Sequence, residues 1–197
     1  TRAEKYMGWD PLLFMGSDVH HKTLGILGFG RVGQALAKRA AGFDMNILYH
    51  NRNRIDPEIE EKIGATYVDR ETLLKTSDYV SIHVPLTPET TGLIDSKALT
   101  LMKPSAFVIN TARGEIIREA ELVKALAEKK IAGAGLDVFE HEPKIHPGLL
   151  KMDNVVILPH IGSASMETRT KMGLMAAENL IARFKDEVPP NCLNPEI

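Results

Sequence analysis

The sequence predicts an α/β fold in which a doubly wound parallel sheet carries helices on both faces. One observation is the alternation of short apolar runs with helix-forming segments, which is typical of a mostly parallel sheet joined by right-handed crossovers. The apolar runs predict strands at 23–27, 45–50, 78–84, 105–110, 132–138 and 153–158. Helices are predicted at 31–41, 57–63, 70–76, 96–102, 116–130 and about 165–185. The other observation is a glycine motif between the first strand and the first helix.

The glycine motif is the run GFGRVG at residues 28–33. An unbroken apolar run precedes it, a helix-forming segment follows it, and a second strand-like run comes next. A G-x-G-x-x-G spacing inside such a β-α-β unit predicts a dinucleotide site, so the domain is expected to be Rossmann-like. A glycine turn without a ligand is the alternative, which this context disfavours.

The residues of the motif have separate expected roles. Gly28 permits the tight turn, Gly30 lets the backbone approach the pyrophosphate, and Gly33 lets helix and strand pack closely. The first helical residues, Arg31 and Val32, are expected to present free N–H groups to the phosphates, because a helix N-terminus carries a partial positive charge. All five are predicted cofactor-binding residues.

The end of the second predicted strand indicates which cofactor is preferred. A Rossmann unit that binds NAD has an acidic residue there, which hydrogen-bonds the ribose hydroxyls. This chain has Asn51 at that position, followed by Arg52 and Arg54. A neutral amide does not repel a 2′-phosphate, and guanidinium groups bind one through charge-assisted hydrogen bonds. NADP(H) is therefore expected in preference to NAD(H), unless the two arginines are only solvated surface charges.

Composition and charge argue against several classes of protein. The formal net charge is −2 and no basic run is present, so nucleic-acid binding is not expected. No apolar segment approaches the roughly 18 residues of a membrane helix, and no membrane partner is expected. The single cysteine, Cys192, favours a reducing cytoplasm. The seven histidines show no ligand spacing such as H-E-x-x-H, so no metal is expected.

Four further motifs extend the interpretation from a fold to an enzyme family. They are HVPLTPET at 83–90, NTARGE at 110–115, GLDVFEHEP at 135–143 and LPHIGSA at 158–164. With the glycine motif, and in this order, they resemble the D-isomer-specific 2-hydroxyacid dehydrogenases, most closely the glyoxylate/hydroxypyruvate reductase branch. The resemblance runs from about Trp9 to the C-terminus.

The resemblance implies three catalytic residues. Arg113 would bind the carboxylate and carbonyl oxygens of the substrate, His160 would be the acid/base, and Glu142 would be the partner of His160. The reduction of a 2-keto acid needs these residue types independently, since a hydride goes to carbon and a proton to oxygen. Imidazole suits that proton near neutral pH, a carboxylate beside it stabilises the imidazolium, and a planar guanidinium holds a carboxylate at two points.

The resemblance also implies cofactor contacts beyond the glycine motif. On the nicotinamide side they are Asp137, which would hold the carboxamide, and Thr111, Ala112 and Gly162. On the adenosine side they are Val84 and Pro85, with Thr90 reaching a phosphate or a ribose hydroxyl.

The resemblance divides the chain into three parts. Residues 1–22 are expected to contain the end of an interdomain helix and a dimerisation arm, 23–164 the NAD(P)-binding Rossmann domain, and 165–197 a C-terminal helix with a return segment toward a substrate domain. That substrate domain would precede Trp9, and the 197 residues are expected to lack it. This segment alone is therefore expected to bind NADPH but to reduce glyoxylate or hydroxypyruvate poorly.

The apolar segment 9–15 has no evident place in the core of the predicted sheet. It predicts a homodimer formed through this domain, and the resemblance implies the same contact. A local cover over the sheet is the alternative for this segment.

The predicted function is an NADP(H)-dependent oxidoreductase that reduces a small 2-keto acid, glyoxylate or hydroxypyruvate, to the 2-hydroxy acid. One alternative is a nicotinamide-sensing binding module like the transcriptional corepressors of the family. Another is a different dehydrogenase of the family, such as phosphoglycerate dehydrogenase. Glu142 counts against a formate dehydrogenase, since those enzymes carry a different partner for the histidine.

Overall fold

Seven parallel strands form one sheet in the computed structural model, which describes residues 4–13 and 15–196. The strands are β1 (Thr23–Leu27), β2 (Asn46–His50), β3 (Ala65–Tyr67), β4 (Tyr79–Ile82), β5 (Phe107–Asn110), β6 (Gly133–Leu136) and β7 (Val155–Ile157). Their order across the sheet is β3-β2-β1-β4-β5-β6-β7, and every neighbouring pair is parallel.

Helices connect the strands. They are α1 (Arg31–Ala40), α2 (Pro57–Ile63), α3 (Arg70–Thr76), α4 (Ser96–Leu101), α5 (Glu119–Ala127) and, after the last strand, α6 (Met166–Phe184). Short 3-10 turns occur at Ala41–Phe43, Gly114–Ile116 and Leu149–Lys151. Aspartates at positions 56, 69 and 95 begin α2, α3 and α4, because each carboxylate accepts a hydrogen bond from a backbone N–H of the first turn.

The order of the strands explains where a ligand can bind. The chain enters the sheet at β1, continues to β2 and β3 on one side, and then returns to β4 on the other side of β1. This confirms the predicted doubly wound α/β fold. In such a sheet ligands bind beyond the carboxyl ends of the strands at the point where the order reverses, which here lies between β1 and β4.

The structure corrects several predicted elements, and three of the differences bear on the site. The sequence analysis does not predict β3, because three residues between two helices are too few to show a strand period. The fourth strand ends at Ile82 and not at residue 84, which leaves His83 and Val84 beyond the ladder. Residues 116–118, predicted as helical, form the end of a 3-10 turn and a short link, and α5 begins at Glu119.

The N-terminal segment is not helical over the residues that the structure describes before Gly16. Residues 4–10 are not helical, and the end of an interdomain helix expected within residues 1–22 stays a prediction. Residues 1–3 of that stretch, and Phe14 of the apolar segment, lie outside the described residues. The described apolar side chains here are exposed, Trp9 to 82%.

Apolar side chains pack on both faces of the sheet. One cluster joins β1 and β2 to α1 and includes Ile26, Tyr49 and Ala37. Phe29 of the glycine motif belongs to this cluster, and its ring stacks on Tyr49 with 4.3 Å between centroids. The other cluster joins β4, β5 and β6 to α3, α4 and α5. The glycine motif is therefore anchored in the core by one aromatic side chain.

The chain divides into two compact units, Thr1–Ile157 and Leu158–Ile197. The first contains the whole sheet, and the second contains α6. Ser165 begins α6, since its hydroxyl accepts a hydrogen bond from the N–H of Thr168 at 3.1 Å. The domain boundary predicted at residue 164 stays a prediction.

Two further findings concern the part of the chain that the structure describes. None of its helices is both long enough and apolar enough to span a membrane. No three His, Cys, Asp or Glu side chains within residues 4–13 and 15–196 lie close enough together to hold a metal ion.

Candidate active site

The glycine turn after β1 sits against the segment that follows β4. Gly28 has φ +94°, a conformation that side chains rarely adopt, and a Cβ there would lie 2.5 Å from the carbonyl carbon of His83. Hydrogen bonds hold the turn on both sides. The N–H of Gly28 donates to the carbonyl of His50 at 3.0 Å, and the N–H of His83 donates to the carbonyl of Leu27 at 2.6 Å. Only glycine therefore fits at position 28.

The other two glycines of the motif have different surroundings. A Cβ at Gly33 would lie 2.3 Å from the carbonyl oxygen of Gly28, so α1 packs closely on the turn because residue 33 has no side chain. A Cβ at Gly30 would meet no atom within 4 Å. Gly30 also precedes α1 without a side-chain cap, and Arg31 and Val32 begin the helix with exposed side chains. This open helix N-terminus fits the predicted approach of a pyrophosphate.

A cleft of about 720 Å³ opens at the carboxyl ends of β1, β2 and β4. The predicted cofactor residues that line it are Gly28, Gly30, Asn51, Arg52, Val84, Pro85 and Thr90. It is also lined by residues that the sequence analysis does not select, among them His50, Asn53, Arg70, His83, Thr87 and Glu89. Ligand pockets have volumes of about 300–1,000 Å³, so this cleft has room for the adenosine and phosphate part of a dinucleotide.

Asn51 is hydrogen-bonded to the glycine turn. Its Oδ1 accepts a hydrogen bond from the N–H of Phe29 at 2.6 Å. The amide nitrogen, which can only donate, is then the group that Asn51 offers to a ligand. A phosphate oxygen can accept such a bond, whereas the hydroxyl of an unmodified ribose is better held by a carboxylate that accepts from it.

The two arginines after Asn51 have different partners. Arg52 lines the cleft. Arg54 pairs with Glu60 of α2, through Nε at 2.8 Å and Nη2 at 2.6 Å. The structure therefore brings Arg52 to the other predicted cofactor residues and directs the Arg54 guanidinium toward α2.

Glu60 is the centre of a polar cluster beneath this loop. Its side chain is buried, and the hydroxyl of Tyr49 also donates to its Oε1. The same hydroxyl accepts a hydrogen bond from the N–H of Ile55 at 3.1 Å. Hydrogen bonds from Arg54 and then from Tyr49 lower the pKa of Glu60 to about 2. Burial, followed by the hydrogen bond to Glu60, raises the pKa of Tyr49 to about 12.

The segment after β4 forms one wall of the cleft. The hydroxyl of Thr90 donates to the carbonyl of Pro85 at 2.6 Å and accepts from the N–H of Thr87 at 2.7 Å, so it stabilises the turn between them. His83 is hydrogen-bonded through Nε2 to the hydroxyl of Ser81 at 2.8 Å, and burial lowers the pKa of His83. The cleft wall thus presents a neutral imidazole at pH 7.

Asn110, the last residue of β5, shapes the loop that carries Arg113. Its side chain is buried, its Nδ2 donates to the carbonyl of Arg113 at 2.8 Å, and its Oδ1 accepts from the N–H of Ala112 at 3.0 Å. The Arg113 side chain is exposed, with Nη1 donating to the carbonyl of Ala112 at 2.5 Å. Thr111 is exposed and Ala112 is half-buried. Asn110 therefore fixes the backbone from which the three predicted residues of this loop project.

The loop after β6 carries Asp137 and Glu142, and it packs on the loop after β5. The N–H of the buried Asp137 donates to the carbonyl of Asn110 at 3.0 Å. The Oε1 of Glu142 accepts a hydrogen bond from the N–H of Phe139 at 3.1 Å. A Cβ at Gly114 would lie only 1.8 Å from the carbonyl carbon of Phe139. The structure thereby brings together the two predicted catalytic loops of the first unit.

Glu119 and Glu140 tie these loops to α5. The N–H of Glu119 donates to Oε2 of Glu140 at 3.1 Å, and the N–H of Glu140 donates to Oε1 of Glu119 at 2.7 Å. Sequence reasoning does not find this pair, because two acids 21 residues apart show no local pattern. Asn110 and Gly114 stand inside the motif NTARGE, which is the signal that could have selected them.

His160 and Gly162 belong to the second unit. His160 has φ +54°, which is uncommon for a residue with a side chain, and such residues cluster at functional sites. The pairing of His160 with Glu142 and the contact of Gly162 with a nicotinamide stay predictions.

A glycine turn at the switch point of a parallel sheet, with a cleft beside it, defines a dinucleotide-binding domain. The chain belongs to the D-isomer specific 2-hydroxyacid dehydrogenases, whose NAD binding domain matches residues 1–162. This confirms the family resemblance and identifies the chain as a domain for a nicotinamide dinucleotide.

Two curated relatives and two solved structures show the extent of the similarity. Glyoxylate reductase from Thermococcus litoralis is 58% identical over 191 residues, which cover 97% of this chain and 57% of that protein. Glyoxylate reductase from Pyrococcus furiosus is 49% identical over 193 residues, 98% of this chain and 57% of that protein. The chain therefore spans little more than half the length of these relatives.

The solved structures agree with the fold. A glyoxylate reductase from Paecilomyes thermophila is 45% identical with a TM-score of 0.83, over 88% of this chain and 53% of that one. A D-lactate dehydrogenase with NAD+ from Lactobacillus jensenii is 30% identical with a TM-score of 0.83, over 92% of this chain and 58% of that one.

Gly30→Ala is expected to weaken dinucleotide binding and to leave the free energy of unfolding unchanged. The added methyl group meets no protein atom within 4 Å, but it occupies the space through which a pyrophosphate approaches the backbone. Calorimetric titration with NADPH should show binding weaker by at least roughly tenfold, about 1.4 kcal/mol. Gly42→Ala is the matched control, since its Cβ also meets nothing within 4 Å and the residue lies just beyond the end of α1. Equal affinities of the two variants would contradict the assignment.

Proposed function

We propose that this chain is the cofactor-binding part of an NADP(H)-dependent oxidoreductase that reduces glyoxylate or hydroxypyruvate to the 2-hydroxy acid. The observation that carries the proposal is the packing of the Arg113 loop on the Glu142 loop, at the same carboxyl edge of the sheet as the dinucleotide cleft. The names of the curated relatives, glyoxylate reductases, support the substrate class.

The proposed chemistry uses three side chains of this chain. A reduced nicotinamide supplies the hydride when it is bound. The exposed guanidinium of Arg113 holds the carboxylate and the carbonyl oxygen of the keto acid at two points. His160 donates a proton to the carbonyl oxygen, and Glu142 stabilises the imidazolium before the transfer. The hydrogen bond from Phe139 fixes the orientation of the Glu142 carboxylate.

The nicotinamide side of the proposed site follows the loops after β5 and β6. Thr111 and Ala112 are proposed to lie along the ring, and Asp137 to hold the carboxamide. The two hydrogen bonds of Asn110 within its loop, and the bond from the N–H of Asp137 to the Asn110 carbonyl, support this by holding the two loops in a defined arrangement. Gly162 is proposed to complete the nicotinamide contacts.

His160→Ala is expected to lower kcat by about 10²–10⁴-fold in the complete natural protein, the usual contribution of general acid catalysis. The measurement is NADPH oxidation with glyoxylate and with hydroxypyruvate at saturating cofactor. His141→Ala is the control, because this exposed imidazole precedes Glu142 and has no proposed role.

Glu142→Gln should shift the pH profile of reduction to lower pH, because the imidazolium loses its charged partner. An unshifted profile would contradict the pairing, and unchanged turnover without His160 would contradict the proposed reaction.

The proposed preference for NADPH is supported by the chemistry at position 51. Asn51 accepts from Phe29 through its oxygen and so offers a donor to the ligand, which suits a 2′-phosphate. Arg52 lines the same cleft and adds a positive charge. A carboxylate at position 51 would repel the phosphate and accept a hydrogen bond from a free ribose hydroxyl.

Asn51→Asp is expected to move the preference toward NADH. The variant keeps an acceptor for the Phe29 N–H, so the glycine turn should stay closed. The lost charge-assisted contact should weaken NADPH binding by roughly 1.5–3 kcal/mol, about ten- to a hundredfold. The measurement is titration of the natural sequence and of Asn51→Asp with NADPH and with NADH. Equal or tighter binding of NADH by the natural sequence would rule out the NADPH preference.

We further propose a homodimer formed through this domain in the cytoplasm. Exposed apolar side chains support the dimer, and they include Tyr6, Met7, Trp9, Leu12 and Met15 of the N-terminal segment. An obligate interface of this kind buries more than about 2,000 Å². Sedimentation velocity at micromolar concentration should therefore show a dimer, and a species of monomer mass alone would refute it.

The single cysteine supports the proposed cytoplasmic location. The net charge of −2 gives no reason to propose a nucleic-acid partner.

A further inference from the structure

We propose that the two guanidinium groups that hold the 2′-phosphate are those of Arg52 and Arg70, and that Arg54 is a positioning residue for the loop between β2 and α2. The inference rests on the proposed preference for NADP(H) and deepens it. It replaces the expected pair Arg52 and Arg54 by a pair from the segments that follow two neighbouring strands.

Arg54 is already engaged by a buried acid. Its Nε and Nη2 form a two-point pair with both oxygens of Glu60, at 2.8 and 2.6 Å. Glu60 is only 6% exposed, so moving the guanidinium away to a ligand would leave a buried carboxylate without its cation. Tyr49 adds a hydrogen bond to Glu60 and accepts one from the N–H of Ile55. Arg54, Glu60 and Tyr49 therefore brace the loop that carries Arg52.

Arg70 lines the same cleft as Arg52. Tyr49 of β2 pairs with Tyr67 of β3, and Arg52 and Arg70 each come three residues after their paired tyrosine. Adjacent strands lie about 4.8 Å apart, so the loop that carries Arg52 and the start of α3 at Arg70 both follow the carboxyl ends of neighbouring strands. Both line the cleft together with Asn51.

Two bonds hold these strand ends together. The N–H of Val68 donates to the carbonyl of Tyr49 at 3.0 Å, and Nδ1 of His50 is hydrogen-bonded to the carbonyl of Val68 at 2.9 Å. Because the segments that lead to Arg52 and Arg70 are joined in this way, the two side chains approach the cleft from a common backbone support.

The charges that line the cleft favour the participation of a second arginine. Glu89 also lines the cleft; a hydrogen bond from Thr87, with a smaller contribution from the charge of Arg52, lowers the pKa of the Glu89 carboxyl. With Arg52 as the only cation, its charge would cancel against that of Glu89. Arg70 leaves this end of the cleft with net positive charge, as a 2′-phosphate requires.

The test compares two adenosine probes that differ by the phosphate in question, adenosine 2′,5′-bisphosphate and AMP, titrated into the complete natural protein. Arg52→Met and Arg70→Met should each weaken the bisphosphate by at least about tenfold and leave AMP within about twofold, because each loses one charge-assisted contact. Arg54→Met should weaken both probes by the same factor and lower the melting temperature. Arg39→Met, which removes an exposed arginine near the end of α1, is the control and should change neither.

The outcomes separate this inference from the proposed function. A natural protein that binds both probes equally would overturn the NADP(H) preference and the arginine pair together. Selective loss of the bisphosphate in Arg54→Met, with Arg70→Met unchanged, would keep the NADP(H) preference and overturn the present inference. If Arg54→Met does not fold, Arg54→Lys is measured in its place. A lysine keeps the positive charge that a phosphate contact uses, but it cannot reproduce the two-point pair with Glu60.

The pairing of Arg54 with Glu60 can also be tested through the pH dependence of the protein's stability. The pKa of Glu60 falls from 4.5 to about 2 in the folded protein. The contribution of the ionised Glu60 to the free energy of unfolding is therefore complete above about pH 4.5 and is lost as the pH falls toward 2. The melting temperature of the natural protein should exceed that of Glu60→Gln at pH 7, and the difference should be clearly smaller near pH 3. A difference that is absent at pH 7, or equal at both pH values, would overturn the positioning role of Arg54.

Discussion

The contact between Gly28 and the backbone of His83 is the constraint on which the cofactor cleft depends. After β1 the chain turns toward α1, and after β4 it enters the cleft wall. The two backbone segments touch at this point, so no side chain fits between them. The hydrogen bonds from Gly28 to His50 and from His83 to Leu27 join three strand ends at this point. A Cβ at position 28 would separate β1 from β4 at the carboxyl edge where the ligand binds. The floor of the cleft is therefore made of backbone.

The loops after β5 and β6 are held together in the same way. Gly114 lets the loop after β5 touch the backbone of Phe139 in the loop after β6. Asn110 then closes the first loop with two hydrogen bonds, and the exchange between Glu119 and Glu140 fixes the second loop to α5. In both regions backbone contacts set the distance between segments. The polar side chains at their tips are left to meet a ligand.

Sequence reasoning captures what is periodic or local. The apolar runs and the glycine spacing predict the doubly wound sheet, and the ordered motifs predict the family. It misses β3, since three residues carry no period, and with it the presence of Arg70 in the cleft that Arg52 lines. It also misses the pairing of Arg54 with Glu60, because that contact depends on how α2 turns back toward β2. The positions of site residues follow from motifs, whereas their partners follow from register and packing.

The hydrogen bond from Phe29 to Asn51 limits how this domain can change over evolution. The N–H of Phe29 lies in a turn that other hydrogen bonds hold, so a residue at position 51 that keeps this bond has to supply an acceptor of about the same reach. Among the twenty side chains, aspartate satisfies this demand with the same shape, and one base change in the codon converts asparagine into it. Under the proposed cofactor preference, that one genetic step would exchange NADPH for NADH as the source of reducing equivalents and leave the glycine turn as it is.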